Sequence, residues 1–467
     1  MHANITGILI VIIGLLTSGI ATATESAANQ IKPRVLVLTD IGNEPDDAES
    51  FVRFLLYANE FDIQGIVAST STWQKNKVQP QLLRERIAAY GEVLDNLRVH
   101  AAGYPSANTL QQLVFSGVTE FGMDGVGDGK STVASTHIID TVDESDHPLW
   151  IAVWGGAADL AQALWTVRAS RSAEDVAAFV AKLRIYSISD QDNAGSWIRR
   201  NFPQAFYIAS VHGWNQYGLA TWVGISGDLK RRQQWPDVEY VTNQWLEENI
   251  RKGPLGKQYP PHLFIMEGDT PSFLGLIPNG LNVPEHPEFG GWGGRYVKSD
   301  LTAMHYGDTQ DTLIKNGTEY TSNQASIFRW RKAFQTDFAA RIQWSLTDDY
   351  SRANHPPVLV LNGSHGIQPI EITAAPGEVI TMDATASKDP DGDKLDYHWW
   401  VYNEVSGARV RSPLTIENPK EPQTRIALAD NAREGTYHLI LEVTDKGIPA
   451  LTRYRRVLLH IELHDSD

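Results

Sequence analysis

The chain has 467 residues, 40 Lys and Arg against 56 Asp and Glu, a formal net charge of −16 and no cysteine. That length holds more than one domain, and the acidic balance argues against a nucleic-acid backbone as partner. Disulfides, thiolate metal sites and a cysteine nucleophile are excluded, which leaves carboxylates, hydroxyls, histidines and aromatics, 14 Trp among them, to carry chemistry.

Residues 1–24 carry no Lys, Arg, Asp or Glu, and the apolar run Ile8–Leu16 is followed by small residues and Ala21-Thr22-Ala23. This is the pattern of a secretory signal peptide over residues 1–23, which predicts an exported protein, periplasmic or extracellular, without stable membrane association after cleavage. An uncleaved anchor is the alternative, since the stretch approaches the ~20 residues that span a bilayer. Beyond it, Val35–Leu38 reads as a buried strand, and Phe51, Phe54, Leu55 and Ala58 recur on one helical face. Further strands over Ile63–Ala68, Leu149–Val153, Leu183–Ser187, Phe206–Ala209 and Leu263–Met266 are interleaved with helices over Gln79–Tyr90 and about Ala157–Ala169. The alternation predicts an α/β domain over residues 31–352, an open, mainly parallel sheet with helices on both faces. Sites in such sheets gather at the carboxyl ends of strands.

The pattern changes at Asn354-His355-Pro356-Pro357, which reads as a stiff linker. After it, Val358–Leu361, Val379–Ala384, Leu395–Val401, Thr436–Val443 and Tyr454–Leu463 are strand-like runs separated by glycine turns. They predict an immunoglobulin-like β-sandwich over residues 356–467. Within it, Asp389, Asp391 and Asp393 alternate across a turn, as a small second Ca²⁺ site or a solvated turn would. Trp399 and Trp400 are expected to point to opposite faces of a strand.

The most informative segment is Thr39-Asp40-Ile41-Gly42-Asn43-Glu44-Pro45-Asp46-Asp47. Four carboxylates (Asp40, Glu44, Asp46, Asp47) meet at one strand-to-helix turn. Helix capping by Asp46 accounts for one or two of them, but not for a strand-terminal aspartate as well. Like charges this close repel unless a cation neutralises them, and hard oxygen donors on a flexible loop favour Ca²⁺.

This opening resembles that of nucleoside hydrolases, whose signature is DxDxGxDDAxA. It is closer still to a group of exported bacterial proteins described as cellulose-binding with a nucleoside-hydrolase-like domain, which also end in a β-sandwich. Those proteins carry a TDxGNEPDD opening, a VA[ST]TSTW segment and an EGDTPSFL segment, found here at Thr39–Asp47, Val67–Trp73 and Glu267–Leu274. The resemblance covers residues 34–467 and implies that Asp40 binds the metal and acts as general base on its water. It further implies that Asp47 is a bidentate ligand, Asp269 a late ligand and Asp46 a holder of a sugar hydroxyl. Trp154 stands where the enzymes supply a backbone carbonyl to the metal, and Thr72 where they place a sugar-binding asparagine. Leu38 replaces the first Asp of the signature, the loop to Asp47 is two residues longer, and Gly268 stands where many of the enzymes have a histidine that protonates the leaving base.

A leaving-group acid is then needed from elsewhere, and Glu267 is the candidate, with a surface or capping acid as the alternative. Asp192 and Asn193 are candidates for distal hydroxyls or for ordinary turn chemistry. Arg295 is a candidate substrate contact or one half of a structural ion pair. Trp73, Trp154, Trp214 and Trp292 follow predicted strands, where sugar rings would stack. Three functions compete. The first is an exported Ca²⁺-dependent glycoside hydrolase, inverting, acting on a carbohydrate or glycoside such as a plant or algal polysaccharide. The second is a non-catalytic cellulose- or polysaccharide-binding protein, and the third a true nucleoside hydrolase. A homo-oligomer is left open.

Overall fold

The structure is a computed structural model that describes residues 31–213, 216–227, 235–406 and 413–463. The expected signal peptide and Trp214 lie outside the described residues. The described residues from Lys32 onward form one compact unit.

Its centre is β1 (Arg34–Thr39), buried along its whole length. Val35 and Val37 enter one hydrophobic core and Leu36 and Leu38 the other, because successive side chains of a strand point to opposite faces. A strand buried on both sides is therefore continuously apolar, as the sequence shows. Around it lie α1 (Asp46–Leu56), β2 (Asp62–Ala68), α2 (Pro80–His100), β3 (Val114–Ser116), α3 (Val133–Asp143), β4 (Leu149–Val153) and α4 (Ala158–Ser170). They are followed by β5 (Leu183–Ser187), α5 (Ala194–Asn201), β6 (Phe206–Ala209), β7 (Tyr296–Lys298), β8 (His305–Asp308) and α6 (Arg331–Trp344). The sheet order is β3-β2-β1-β4-β5-β6-β8-β7, parallel except for the β7–β8 pair. Chain order runs outward to β3 on one side of β1 and to β6 on the other, so the topology reverses between β1 and β4. A crevice opens at the carboxyl ends of strands at such a point.

The segment Leu263–Met266, expected as a strand, is irregular, with Leu263 and Phe264 exposed. The position after β6 is taken instead by β8, whose His-Tyr-Gly-Asp sequence has no strand signature and pairs only because β6 offers an edge. Helix α2 runs ten residues past Tyr90, to His100.

The C-terminal part has two sheets. One has the order β11 (Ile370–Ala374), β17 (Thr452–Ile461), β16 (Gly435–Thr444), β13 (Asp396–Val401), and the other β12 (Val379–Asp383), β15 (Gln423–Leu428), β14 (Leu414–Ile416). The hairpin β9 (Asp311–Lys315) and β10 (Thr318–Ser322) precedes them in the chain. Val358–Leu361 is no strand and contributes only isolated bridges. Asn354-His355 is not a free spacer: both residues are buried, and Asn354 Nδ2 donates to Pro449 O at 2.8 Å. Trp399 is buried in the sandwich core, whereas Trp400 packs on Trp330 of the α/β part with ring centroids 5.8 Å apart. Arg453 pairs with Asp337 of α6 at 2.7 Å, and Arg456 donates to Leu281 O and Gly290 O. Strand β17 therefore carries several of the contacts that hold the sandwich to the α/β part.

Candidate active site

Three segments bring carboxylates to the reversal point. Asp40 follows β1 directly and is 3% exposed. Ser71, in the loop after β2, donates its hydroxyl to Asp40 Oδ2, and Gln74 Nε2 donates to the Asp40 carbonyl at 3.2 Å. Gly155, after β4, is required here, since a Cβ would stand 2.6 Å from Asp40 Oδ1. Asp46 and Asp47 open α1, whose N-cap is Pro45 with no side-chain capping bond. Capping therefore does not explain these acids. Asp47 instead accepts from the Thr39 hydroxyl. Asp269 comes from the turn before the short helix Pro271–Leu274.

Asp46, Asp47 and Asp269 each offer an oxygen within 4.8 Å of the others. Asp269 is 1% exposed, and its Oδ2 has no hydrogen-bond partner. Burial, then the charges of the neighbouring acids, makes ionisation costly: the Asp40 carboxyl is pushed up to about 6 and that of Asp46 to about 7. Asp47 and Asp269 are raised well above the carboxylate range for the same reasons. A buried, all-oxygen set with one orphaned atom is what a hard cation would satisfy.

Above the acids is a cleft of about 280 Å³. Asp40, Asn43, Glu44, Asp46, Asp47 and Asp269 line its acidic part; Trp73, Tyr217, Trp222 and Phe264 supply aromatic rings, with Ser189 and Gln191 between them. Trp73 and Phe264 are 41% and 50% exposed, which leaves part of their surface open to solvent.

The other expected site residues are placed elsewhere. Glu267 does not reach the cleft. Its backbone is left-handed, with φ 51°, and its side chain is fully buried against Arg53 at 2.6 Å, accepting also from the Tyr259 and Thr270 hydroxyls at 2.7 and 2.9 Å. Spacing alone could not show that turn, and the leaving-group role for Glu267 is withdrawn. The Trp154 ring is buried between α1 and the 271–274 helix, its Nε1 donating to Ser272 Oγ at 2.8 Å, so it stacks on no sugar. Its carbonyl accepts from Gln191 Nε2. Trp292 is likewise core, packed against Phe334 and Tyr454. Arg295 is spent on Asp311 at 2.6 Å. Thr72 donates its N–H to Gln191 O at 2.6 Å without lining the cleft. Asp192 ties loops together, accepting from the N–H groups of Ala157 and Ala194, and Asn193 accepts from Met123 N. In the sandwich, Asp389 Oδ1 accepts from the N–H groups of Asp391 and Asp393, and Asp391 pairs with His355 at 3.0 Å. That is turn chemistry, and among the described residues no three-ligand group forms there.

Sequence reasoning does not find Ser189, Gln191, Tyr217, Trp222 and Phe264 as cleft residues, because they come from loops without periodicity. Ser71, which holds Asp40 from behind the cleft, lies in the VASTSTW segment. At Gly268 a Cβ would stand 2.9 Å from Asp46 Oδ2 and 3.1 Å from the Trp222 ring, so a side chain there would have to displace one or the other.

The family described as "Cellulose-binding Sde182, nucleoside hydrolase-like domain" matches residues 34–296, and that described as "Cellulose-binding protein Sde0182, C-terminal domain" matches residues 379–461. Among solved structures, a nucleoside hydrolase-related hypothetical protein from Saccharophagus degradans, associated with carbohydrate metabolism, is 33% identical with TM-score 0.78, covering 92% of this chain and 100% of that one. The effector protein XOO4466 is 11% identical with TM-score 0.40, covering 70% of this chain and 99% of that one. A search of curated protein sequences found no match. Among the described residues no helix is long and apolar enough to cross a membrane.

Proposed function

The chain belongs to the cellulose-binding Sde182 family with its nucleoside-hydrolase-like domain, and on that premise we propose that it is an exported, Ca²⁺-dependent glycoside hydrolase acting on a carbohydrate or glycoside. The observation that carries this reading is the convergence of Asp46, Asp47 and Asp269 under the cleft, with Asp269 Oδ2 unpartnered. These three would hold the ion, with Asp40 beside them. When bound, Ca²⁺ supplies positive charge that neutralises the cluster and fixes a sugar diol.

The remaining chemistry belongs to the chain. Asp40, held by Ser71 and backed by Gly155, takes a proton from the water that attacks the anomeric carbon. One displacement by water inverts that centre, and Trp73 and Phe264 offer rings against which a sugar packs. The withdrawal of Glu267 from the cleft favours a second reading, a non-catalytic polysaccharide-binding protein, because no assigned acid then serves the leaving group. Nucleoside cleavage is the weakest reading, since Gly268 offers no side chain to protonate a leaving base.

The test is hydrolysis of a glycoside panel with Ca²⁺ and with EDTA, by the native protein and by Asp40→Asn. Turnover should require Ca²⁺ and fall ~10²–10⁴-fold in the variant with its circular dichroism unchanged. No hydrolysis by the native protein, with oligosaccharide binding retained, would put the binding-only reading in its place.

A further inference from the structure

The acids account for only part of the cleft. Among its uncharged lining residues, Gln191 and Trp222 are 8% and 3% exposed, yet Gln191 Oε1 and Trp222 Nε1 have no hydrogen-bond partner. Buried polar atoms seldom go unpaired, because nothing then offsets their lost hydration. Neither group is loosely held. Gln191 Nε2 donates to the Trp154 carbonyl, which leaves Oε1 as the atom without a role. Trp222 sits in the turn Thr221–Ile225, where the Thr221 N–H donates to Asp308 at 3.3 Å, and its ring abuts Gly268. The hydroxyls of Ser189 and Tyr217, in the same wall, likewise have no hydrogen-bond partner.

These atoms set out a pattern. Trp Nε1 only donates, Gln Oε1 only accepts, and the two hydroxyls do both. A sugar hydroxyl matches each of them. A carboxylate, sulfate or phosphate ester only accepts, so it would leave Gln191 Oε1 unmatched. Among the described residues lining the cleft there is no Lys, Arg or His to pair with such a group. We propose that this wall is a hydroxyl-reading subsite for a neutral saccharide, and that anionic glycans are excluded. The inference rests on the reading of the cleft as a carbohydrate site and narrows its substrate class.

The test is calorimetric binding, in Ca²⁺, of cellopentaose, xylopentaose, laminaripentaose and pentagalacturonic acid to the native protein and to Trp222→Phe. At least one neutral pentasaccharide should bind, with the galacturonide at least ~10-fold weaker. Trp222→Phe keeps an aromatic ring but removes the fused pyrrole with its N–H, and should weaken the neutral ligand about tenfold. A Ca²⁺-induced rise in melting temperature shows that the variant is folded; Ser189→Ala, a smaller change in the same wall, serves if it is not. The proposal fails if no neutral oligosaccharide binds, if the galacturonide binds as tightly, or if the folded variant binds as the native protein does. Trp222-dependent binding without hydrolysis would sink the hydrolase reading and leave this one standing. Hydrolysis with an indifferent Trp222→Phe would do the reverse.

Discussion

Two acids two residues apart, Glu267 and Asp269, have opposite fates. Both are buried, but Glu267 is neutralised by Arg53 and by two hydroxyl donors, whereas Asp269 meets only other acids and an orphaned oxygen. Burial is affordable for a charge when it is paired, and removing one partner of a buried pair leaves the other uncompensated. Glu267→Gln is therefore expected to cost about 3–5 kcal/mol of stability, seen as a drop in melting temperature. If it were a proton donor, the substitution would instead lower kcat with little thermal effect. Across Gly268, Asp269 and Glu267 thus face different surroundings, and Glu267 carries a left-handed φ at the turn between them.

At the scale of elements, the site is made by the point where β1 and β4 lie side by side and their following loops meet. The first loop supplies Asp40 and the second Gly155, and the contact between them tolerates no side chain. Gly155→Ala should displace the Asp40 carboxylate and weaken Ca²⁺ binding ~10–100-fold, as loss of a support for a metal site does. Titration of Ca²⁺ by calorimetry checks this, with unchanged circular dichroism showing that the sheet is intact. The apolar runs of β1, β4 and β6 were legible because strands buried on both faces have few polar positions to interrupt them. β8 and the exposed Leu263-Phe264 were not legible, since edge pairing and cleft-lining loops obey tertiary contacts rather than local propensity.

Across the whole molecule, two quantities should respond to conditions. Ca²⁺ at about 100 times its Kd is expected to stabilise the protein by ~2.7 kcal/mol, an effect reversed by EDTA, because binding favours the folded state alone. The second is acid sensitivity at the joint between sandwich and α/β part. His438 is held neutral, its ionisation pushed down to about 3 by burial and by the Arg456 charge, with His460 and His286 adding to it. Arg456 Nη1 donates to its Nδ1 at 3.0 Å, and Phe289 packs edge-on at 4.4 Å. The unfolded histidine takes up a proton below about 6.5 and the folded one does not, so stability falls as pH drops through that window. Between pH 7 and pH 5 the loss from this group is about 2 kcal/mol. His438→Gln should show a correspondingly shallower decline in denaturant midpoint.

The chain alone specified an acidic, cysteine-free protein with an α/β sheet, a β-rich C-terminal part and carboxylates gathered after the first strand, because hydrophobic periodicity and a charge cluster are local properties. Whether an acid faced the cleft or the core was decided by tertiary structure. Asp40, Asp46, Asp47 and Asp269 converge, Glu267 turns away, and Trp154 and Trp292 serve packing, because each outcome depends on partners far along the chain. Arg53 lies more than two hundred residues from Glu267, and Tyr454 more than one hundred and fifty from Trp292. The abundance of tryptophan is visible in the chain alone; that the rings at the cleft are Trp73 and Trp222 is decided by how the loops meet in the tertiary structure.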